Sequence, residues 1–162
     1  MKKYFFAVAI GAIVSGFAVP AAADDLANFD GGIGVTPAAL SNGVFVPNDV
    51  FNVPPGGRPW VIEALRGSVK TNGEISVRGD GLVFAGGNAV GTAGPVTQVA
   101  ATLFCDGQPH HSPAAPIQRN GDFNINGMLT TMPPSPCNAP ALLIRNAAGG
   151  TPGAWFAAGI PK

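Results

Sequence analysis

Short runs of alternating apolar and polar residues recur along most of this chain. In the run Thr97–Cys105, apolar residues such as Val99 and Leu103 occupy every second position. The run Glu74–Phe84 begins with the same alternation, and residues 122–126 repeat it. A period of two is the pattern of a β-strand that buries one face and exposes the other.

Turn residues separate these runs. Asn72-Gly73 and Asn120-Gly121 predict hairpin turns, because both residue types tolerate the positive φ that such turns require. Gly79-Asp80-Gly81 predicts a bulge or kink. The pattern therefore predicts an all-β fold, a single β-sandwich of about seven or eight antiparallel strands. The predicted strands are 60–70, 74–84, 97–105, 115–118, 122–126, 141–146 and 154–160.

The first residues follow a different pattern, that of an export signal. Lys2 and Lys3 precede an uncharged, mostly apolar run, which Pro20 and three alanines end. This order predicts a secretory signal peptide with cleavage between Ala23 and Asp24. We therefore expect a bacterial protein that is periplasmic or secreted, with no membrane span after cleavage.

The remaining chain divides at a proline- and glycine-rich stretch near residue 58. Residues 24–58 are rich in Gly, Pro and Asn and contain only brief apolar pieces such as Val44–Val46. They predict an extended N-terminal arm with one or two edge strands. The predicted organisation is a signal peptide (1–23), this arm (24–58) and a β-sandwich domain (59–162).

Charge argues against two classes of partner. The chain has nine basic and nine acidic residues, and the signal takes two of the basic ones, which leaves about −2. So small and mixed a charge does not suggest nucleic acid or an anionic membrane surface as a partner. A protein or glycan partner, or self-association, remains open.

Cys105 and Cys137 are the only cysteines. In an exported protein such a pair predicts a disulfide bond, and the spacing is not the Cys-x-x-Cys of redox sites. We expect the bond to attach the proline-rich segment before Cys137 to the end of the Thr97–Cys105 strand.

Candidate chemistry is sparse. His110 and His111, with Asp106 nearby, could form a weak metal-binding or hydrolytic site, although neighbours on a strand point in opposite directions. A polar hairpin loop is the alternative that we favour. Ser112 follows His111, but no nucleophile elbow, phosphate loop or dinucleotide motif accompanies it. We expect no catalytic residues, no bound metal and no cofactor.

Aromatic residues offer another candidate. Trp60, Trp155 and Phe156 could form a ligand-facing platform, but ordinary core packing explains them better. Alternation would expose either Trp155 or Phe156, so Trp155 stays a candidate ligand residue. Arg145 lies in an apolar strand, and we expect it to point outward; if buried, it needs a carboxylate or several carbonyl partners.

The segment from Val99 to Asn146 combines a strand ending in cysteine, Ala-Pro-Ile, Asn-Gly-Asp-Phe-Asn-Ile and a proline-rich cysteine before an apolar strand. It resembles immunoglobulin-like and transthyretin-like secreted modules, and the terminal Trp-Phe-Ala-Ala-Gly is similar to small exported bacterial proteins. The resemblance implies an immunoglobulin-like β-sandwich and brings no catalytic residues.

Together these features predict an exported, non-enzymatic protein that acts in binding or as an envelope or extracellular structural component. One alternative is a self-assembling or strand-exchanging surface protein, because the arm could add a strand to a neighbour's sheet. The other is the metal-binding or hydrolytic site around Asp106, His110 and His111.

Overall fold

The computed structural model describes residues 23–162, in which all regular secondary structure is β. Apart from Ala23, the predicted signal peptide lies outside the described residues, so it stays a prediction. Residues 23–162 contain no helix long and apolar enough to cross a membrane. The all-β prediction is confirmed for this part of the chain.

Thirteen strands, most of them short, follow one another along the described residues. They are β1 (Asp25–Gly34), β2 (Ala38–Ser41), β3 (Val44–Pro47), β4 (Trp60–Val61), β5 (Ala64–Lys70), β6 (Glu74–Asp80), β7 (Val83–Phe84), β8 (Gln98–Cys105), β9 (Gln108–His111), β10 (Ala115–Pro116), β11 (Phe123–Met128), β12 (Ala141–Asn146) and β13 (Trp155–Pro161).

Nine of these strands form one antiparallel sheet in the order β10-β8-β12-β13-β1-β5-β6-β11, with β9 also paired to β8. The sheet curls until its two ends meet: Ile117 bridges Phe123, and the Thr130 amide donates to the His111 carbonyl oxygen over 2.8 Å. The other strands form two small sheets, β2-β3 and β4-β7. Hydrogen bonds connect the strands of the main sheet without a break from β10 to β11, and they do not divide it into two sheets. The immunoglobulin-like sandwich therefore stays a prediction.

The core fills the inside of the curled sheet. Leu103 of β8 and Leu142 of β12 are register partners, and both are fully buried. Phe123 and Ile125 of β11 point inward, as the alternation predicts. Gly79 on the neighbouring strand β6 leaves the space that the Phe123 ring occupies. At this position a large inward side chain thus lies opposite a glycine, which lets the two strands pack closely.

β8 is buried on both faces, because a second layer covers its outer side. Alternation places Phe104 on the outer face, yet its side chain is buried and stacks on the Phe51 ring with centroids 4.7 Å apart. The segment that carries Phe51 continues past β13, where the Gly56 amide donates to the Trp155 carbonyl oxygen over 2.8 Å. The predicted arm therefore packs against the sheet over part of its length.

The strand content of residues 24–58 differs from the expectation of one or two edge strands. β1 lies inside the main sheet, between β13 and β5. Its residues Ala27 and Phe29 belong to the buried core. Asparagine, aspartate and glycine residues surround them and interrupt the apolar alternation. A bulge also shifts the register between Phe29 and Gly32, so the alternation does not continue along the strand. The predicted domain boundaries remain a prediction.

The predicted strand 60–70 is two strands, β4 and β5, since the chain turns at Ile62 and Glu63. Trp60 of β4 is buried between two rings: its centroid lies 4.2 Å from that of Phe84 and 4.2 Å from that of Phe156. The predicted strand 74–84 likewise divides into β6 and β7 at Gly81, where the kink was expected.

Candidate functional site

His110 and His111 lie on β9 and face opposite sides of the sheet. His110 pairs with the inward residue Leu103 and is buried. Its Nδ1 lies 2.9 Å from the Thr131 hydroxyl oxygen and 3.2 Å from the Thr131 carbonyl oxygen. Its Nε2 is buried with no hydrogen-bond partner among the described residues. The two rings therefore cannot bind one ion together.

His111 belongs to a polar cluster on the outer face of β9, β8 and β12. Its Nδ1 lies 3.0 Å from the Thr102 hydroxyl oxygen, which accepts a hydrogen bond of 3.4 Å from Arg145 Nη1. Because Arg145 can only donate, the Thr102 hydroxyl hydrogen is available to His111. This order of donors is compatible with a neutral ring whose Nδ1 accepts from Thr102.

The surroundings of His111 favour that neutral form. Burial of the ring lowers the pKa of His111 below its usual 6.5, and the positive charge of Arg145 and the neighbouring His110 lower it further. Burial also lowers the pKa of Arg145, which nevertheless stays protonated at neutral pH.

Arg145 is held by carbonyl groups of the loop before β13. Its Nη2 donates to the Pro152 carbonyl oxygen and its Nε to the Gly153 carbonyl oxygen, both over 2.7 Å. The side chain is half-buried on the outer face, and these carbonyls are the partners that burial requires. Thr102, between Arg145 and His111, is 0% exposed and cannot reach a substrate. The cluster joins three strands and lacks an accessible nucleophile.

Asp106 does not join either histidine. It lies in the turn between β8 and β9 with φ 49°, and its carboxylate accepts a hydrogen bond of 3.3 Å from the Asn138 side chain. Across residues 23–162 no three His, Cys, Asp or Glu side chains are grouped closely enough to hold a metal ion. Ser112 is also committed, because its hydroxyl accepts from the Ala101 amide and donates to the Pro113 carbonyl oxygen.

The cysteine prediction is confirmed: Cys105 and Cys137 form a disulfide, with their Cα atoms 5.0 Å apart.

Trp155, the other candidate, is only 4% exposed, and its indole N–H donates to the Asn48 carbonyl oxygen over 3.0 Å. Phe156 is equally buried, so the expectation that one of this pair is exposed is wrong. A bulge in the pairing of β12 with β13 interrupts the alternation at Trp155, and the segment that contains Phe51 and Gly56 covers this part of β13.

Another group of exposed apolar side chains lies on the hairpin formed by β2 and β3, which we call the apolar hairpin (residues 38–47). Every residue of both strands is exposed, and neither strand pairs with the main sheet. Leu40 and Phe45 face each other across the hairpin and are 66% and 79% exposed. Val44 is 63% exposed. Residues 31–48 contain no charged side chain.

The sequence contains a signal for this hairpin. Asn42-Gly43 lies between the two apolar pieces, and its φ angles of 49° and 80° are those of a type I′ turn. The same dipeptide occurs at residues 72–73 and 120–121, where it predicts hairpin turns. Here the surrounding Gly, Pro and Asn residues led to the expectation of an extended arm.

Protein-family models, curated proteins and solved structures were compared with the chain, and none of them matches it.

Proposed function

We propose that this chain is an exported binding protein that attaches to a protein partner through the apolar hairpin. The observation that carries the proposal is the exposure of Leu40, Val44 and Phe45 on an element with no charged residue. Single exposed apolar residues are ordinary, but a contiguous group of them is typical of an interaction surface.

Energetics support a partner that covers the hairpin. A two-stranded hairpin without further packing is at best marginally stable in water. Burying a side chain such as Leu or Phe contributes about 1.5–3 kcal/mol. Covering Leu40 and Phe45, which share one face, would therefore stabilise both the hairpin and the complex.

Export is part of the proposal. The predicted signal peptide supports it, and the disulfide is typical of proteins that work outside the reducing cytoplasm. The resemblance to immunoglobulin-like secreted modules favours the same role, since it brings an architecture without catalytic residues. We therefore place the partner in the periplasm or outside the cell.

Photo-crosslinking tests the proposal. A photoreactive phenylalanine analogue at position 45 should give a discrete product with a second protein in the exporting cell. The same analogue at Val90, which is 60% exposed outside the hairpin, should not. Leu40→Ser should weaken the product, whereas Met132→Ser should not, although Met132 is 64% exposed. No product specific to position 45 would refute the proposal.

Self-association is a second candidate, because the outer edges of β2 and β3 have no strand partner in the described region. A crosslinked product containing two copies of the chain would favour it.

Deleting the whole predicted arm would not be a fair test, since β1 is an interior strand of the sheet. Residues 38–47 can instead be replaced by two glycines, because the Asn48 side chain and the Thr36 carbonyl oxygen already hold the base together at 3.1 Å. Equal monomeric masses by light scattering, with and without the hairpin, would exclude self-association.

A further inference from the structure

The outer face of β1, β5, β6 and β11 carries two straight rows of polar side chains. Strand register aligns one row across all four strands, in the order Asn28, Ser68, Ser76 and Asn126. Neighbouring strands lie about 4.8 Å apart, so the row extends over roughly 14 Å. Because the intervening residues face the core, this side of the sheet presents only polar groups along the row.

The second row runs parallel to the first and is charged. It consists of Asp30, Arg66, Arg78 and Asn124. Arg66 and Arg78 are direct register partners, an arrangement that like charges disfavour. Their side chains are 84% and 72% exposed. Two adjacent guanidinium groups are therefore presented to solvent.

Each arginine has one carboxylate nearby, and Lys162 adds a third cation to the groove lining, which also contains Asp25 and Asp30. Asp30 lies 3.6 Å from Arg66 Nε, and Asp80 accepts from Arg78 Nε and Nη2 through a single oxygen. The Arg66 guanidinium has this 3.6 Å contact and no side-chain hydrogen bond within residues 23–162. Each guanidinium carries five N–H donors, so most donors of the pair remain available to a ligand.

The two rows border an open groove of about 730 Å³. Arg66, Arg78, Ser68, Ser76 and Asn28 contribute to its lining. The polar side chains are partly fixed in place: the Ser76 hydroxyl donates to Asn126 over 2.8 Å, and the Asn126 amide donates to Asn124 over 3.0 Å. The groove thus combines a cationic pair with a strip of hydroxyl and amide groups.

This chemistry points to the class of ligand. Arg guanidinium groups bind carboxylates in a planar, two-bond geometry, and serine and asparagine side chains bind hydroxyl groups. A peptide that binds as an added strand is disfavoured, because the strands on either side of β5 already use its backbone groups. Nucleic acid is disfavoured because the only aromatic residue in the lining, Phe29, is buried, so the groove offers no ring on which a base could stack.

We propose that this groove binds an acidic polysaccharide. One uronate carboxylate lies between Arg66 and Arg78, and sugar hydroxyl groups bind Asn28, Ser68 and Ser76, the residues of the first row that line the groove. The site is separate from the apolar hairpin, so it neither requires the proposed protein partner nor depends on it.

Calorimetric titration of the mature chain with galacturonate and mannuronate tetramers tests this site. Wild-type protein should bind at least one of them, and the methyl ester of that oligomer, which lacks the charge, should bind much more weakly. Arg66→Gln with Arg78→Gln should reduce affinity about tenfold or more, since hydrogen bonds to charged groups are at stake. Ser68→Ala with Ser76→Ala should reduce it by about threefold to tenfold.

The matched control is Arg58→Gln with Arg119→Gln, which removes the same charge outside the groove and should change affinity less than about twofold. Thermal unfolding shows that each variant is folded, and removal of the opposed arginines should not lower stability. Failure of wild-type protein to bind either tetramer would overturn the proposal. So would equal binding of the methyl ester, or an equal loss in the control variant. Crosslinking at position 45 is independent of all three outcomes.

Discussion

At the scale of single residues, Phe51 joins the covering segment to the sheet. Its φ of 48° is in the left-handed region, which bulky residues rarely adopt, and its ring stacks on Phe104. We expect Phe51→Ala to lower the free energy of unfolding by about 1–2 kcal/mol, because the aromatic pair and its buried area are lost. Urea unfolding measures this change. Asn52→Gly, at the next left-handed position (φ 61°), should change stability by less than about 0.5 kcal/mol. An unchanged midpoint for Phe51→Ala would mean that the stack does not hold the segment.

His111 makes a prediction about acid. Its pKa is lowered in the folded protein by burial and by Arg145, so the unfolded chain takes up a proton first as the pH falls. Protonation of His111 therefore has no effect on the free energy of unfolding above about pH 6.5. As the pH drops below that value towards the folded pKa, it lowers the free energy of unfolding. In His111→Gln, the loss of stability between about pH 7 and pH 5.5 should be smaller than in wild-type protein. Thermal unfolding at both pH values checks this. Identical pH dependence in the two proteins would contradict the role assigned to His111.

At the scale of elements, two hairpins that share the dipeptide Asn-Gly have different surroundings. Gly43 and Gly73 follow asparagine in their turns, with φ of 80° and 83°. Alanine is strained by about 1–2 kcal/mol at such a φ. Gly73→Ala should show that cost in global unfolding, because its hairpin joins β5 and β6 of the main sheet. Gly43→Ala should change global stability by less than about 0.5 kcal/mol, since the apolar hairpin can open locally. Tryptophan fluorescence follows the main sheet, and hydrogen exchange follows residues 38–47. Equal losses of global stability would show that the apolar hairpin unfolds together with the sheet.

The same elements show which features sequence reasoning can find. Asn72-Gly73 marked a local contact, and the alternation in β8 and β11 identified their inward residues correctly. β1 was not recognised as an interior strand, because it pairs with β5 and with β13 at the far end of the described chain. Such pairing depends on partners that a local pattern does not reveal. Period two predicted that His110 and His111 would diverge, whereas the meeting of His111 with Arg145 depends on the register of three strands.

At the scale of the whole molecule, the disulfide is the covalent link that sequence reasoning placed correctly. It connects β8, the strand buried on both faces, to the irregular segment before β12 across 32 positions. In the chain-entropy account, closing a loop of that length stabilises the fold by about 3.7 kcal/mol. A typical domain has a total stability of about 5–15 kcal/mol, so the link accounts for a large share.

Replacing Cys105 and Cys137 together by alanine should therefore lower the free energy of unfolding by about 3–4 kcal/mol. Reduced wild-type protein should unfold at nearly the same urea concentration as this double variant, because both lack the same constraint on the unfolded chain. A reductant should have no effect on the double variant itself, which controls for other actions of the reagent. If reduction left the wild-type midpoint unchanged, the packing of β8 between the core and the covering segment would hold the molecule together without the disulfide. The disulfide would then have little part in the stability of the folded protein.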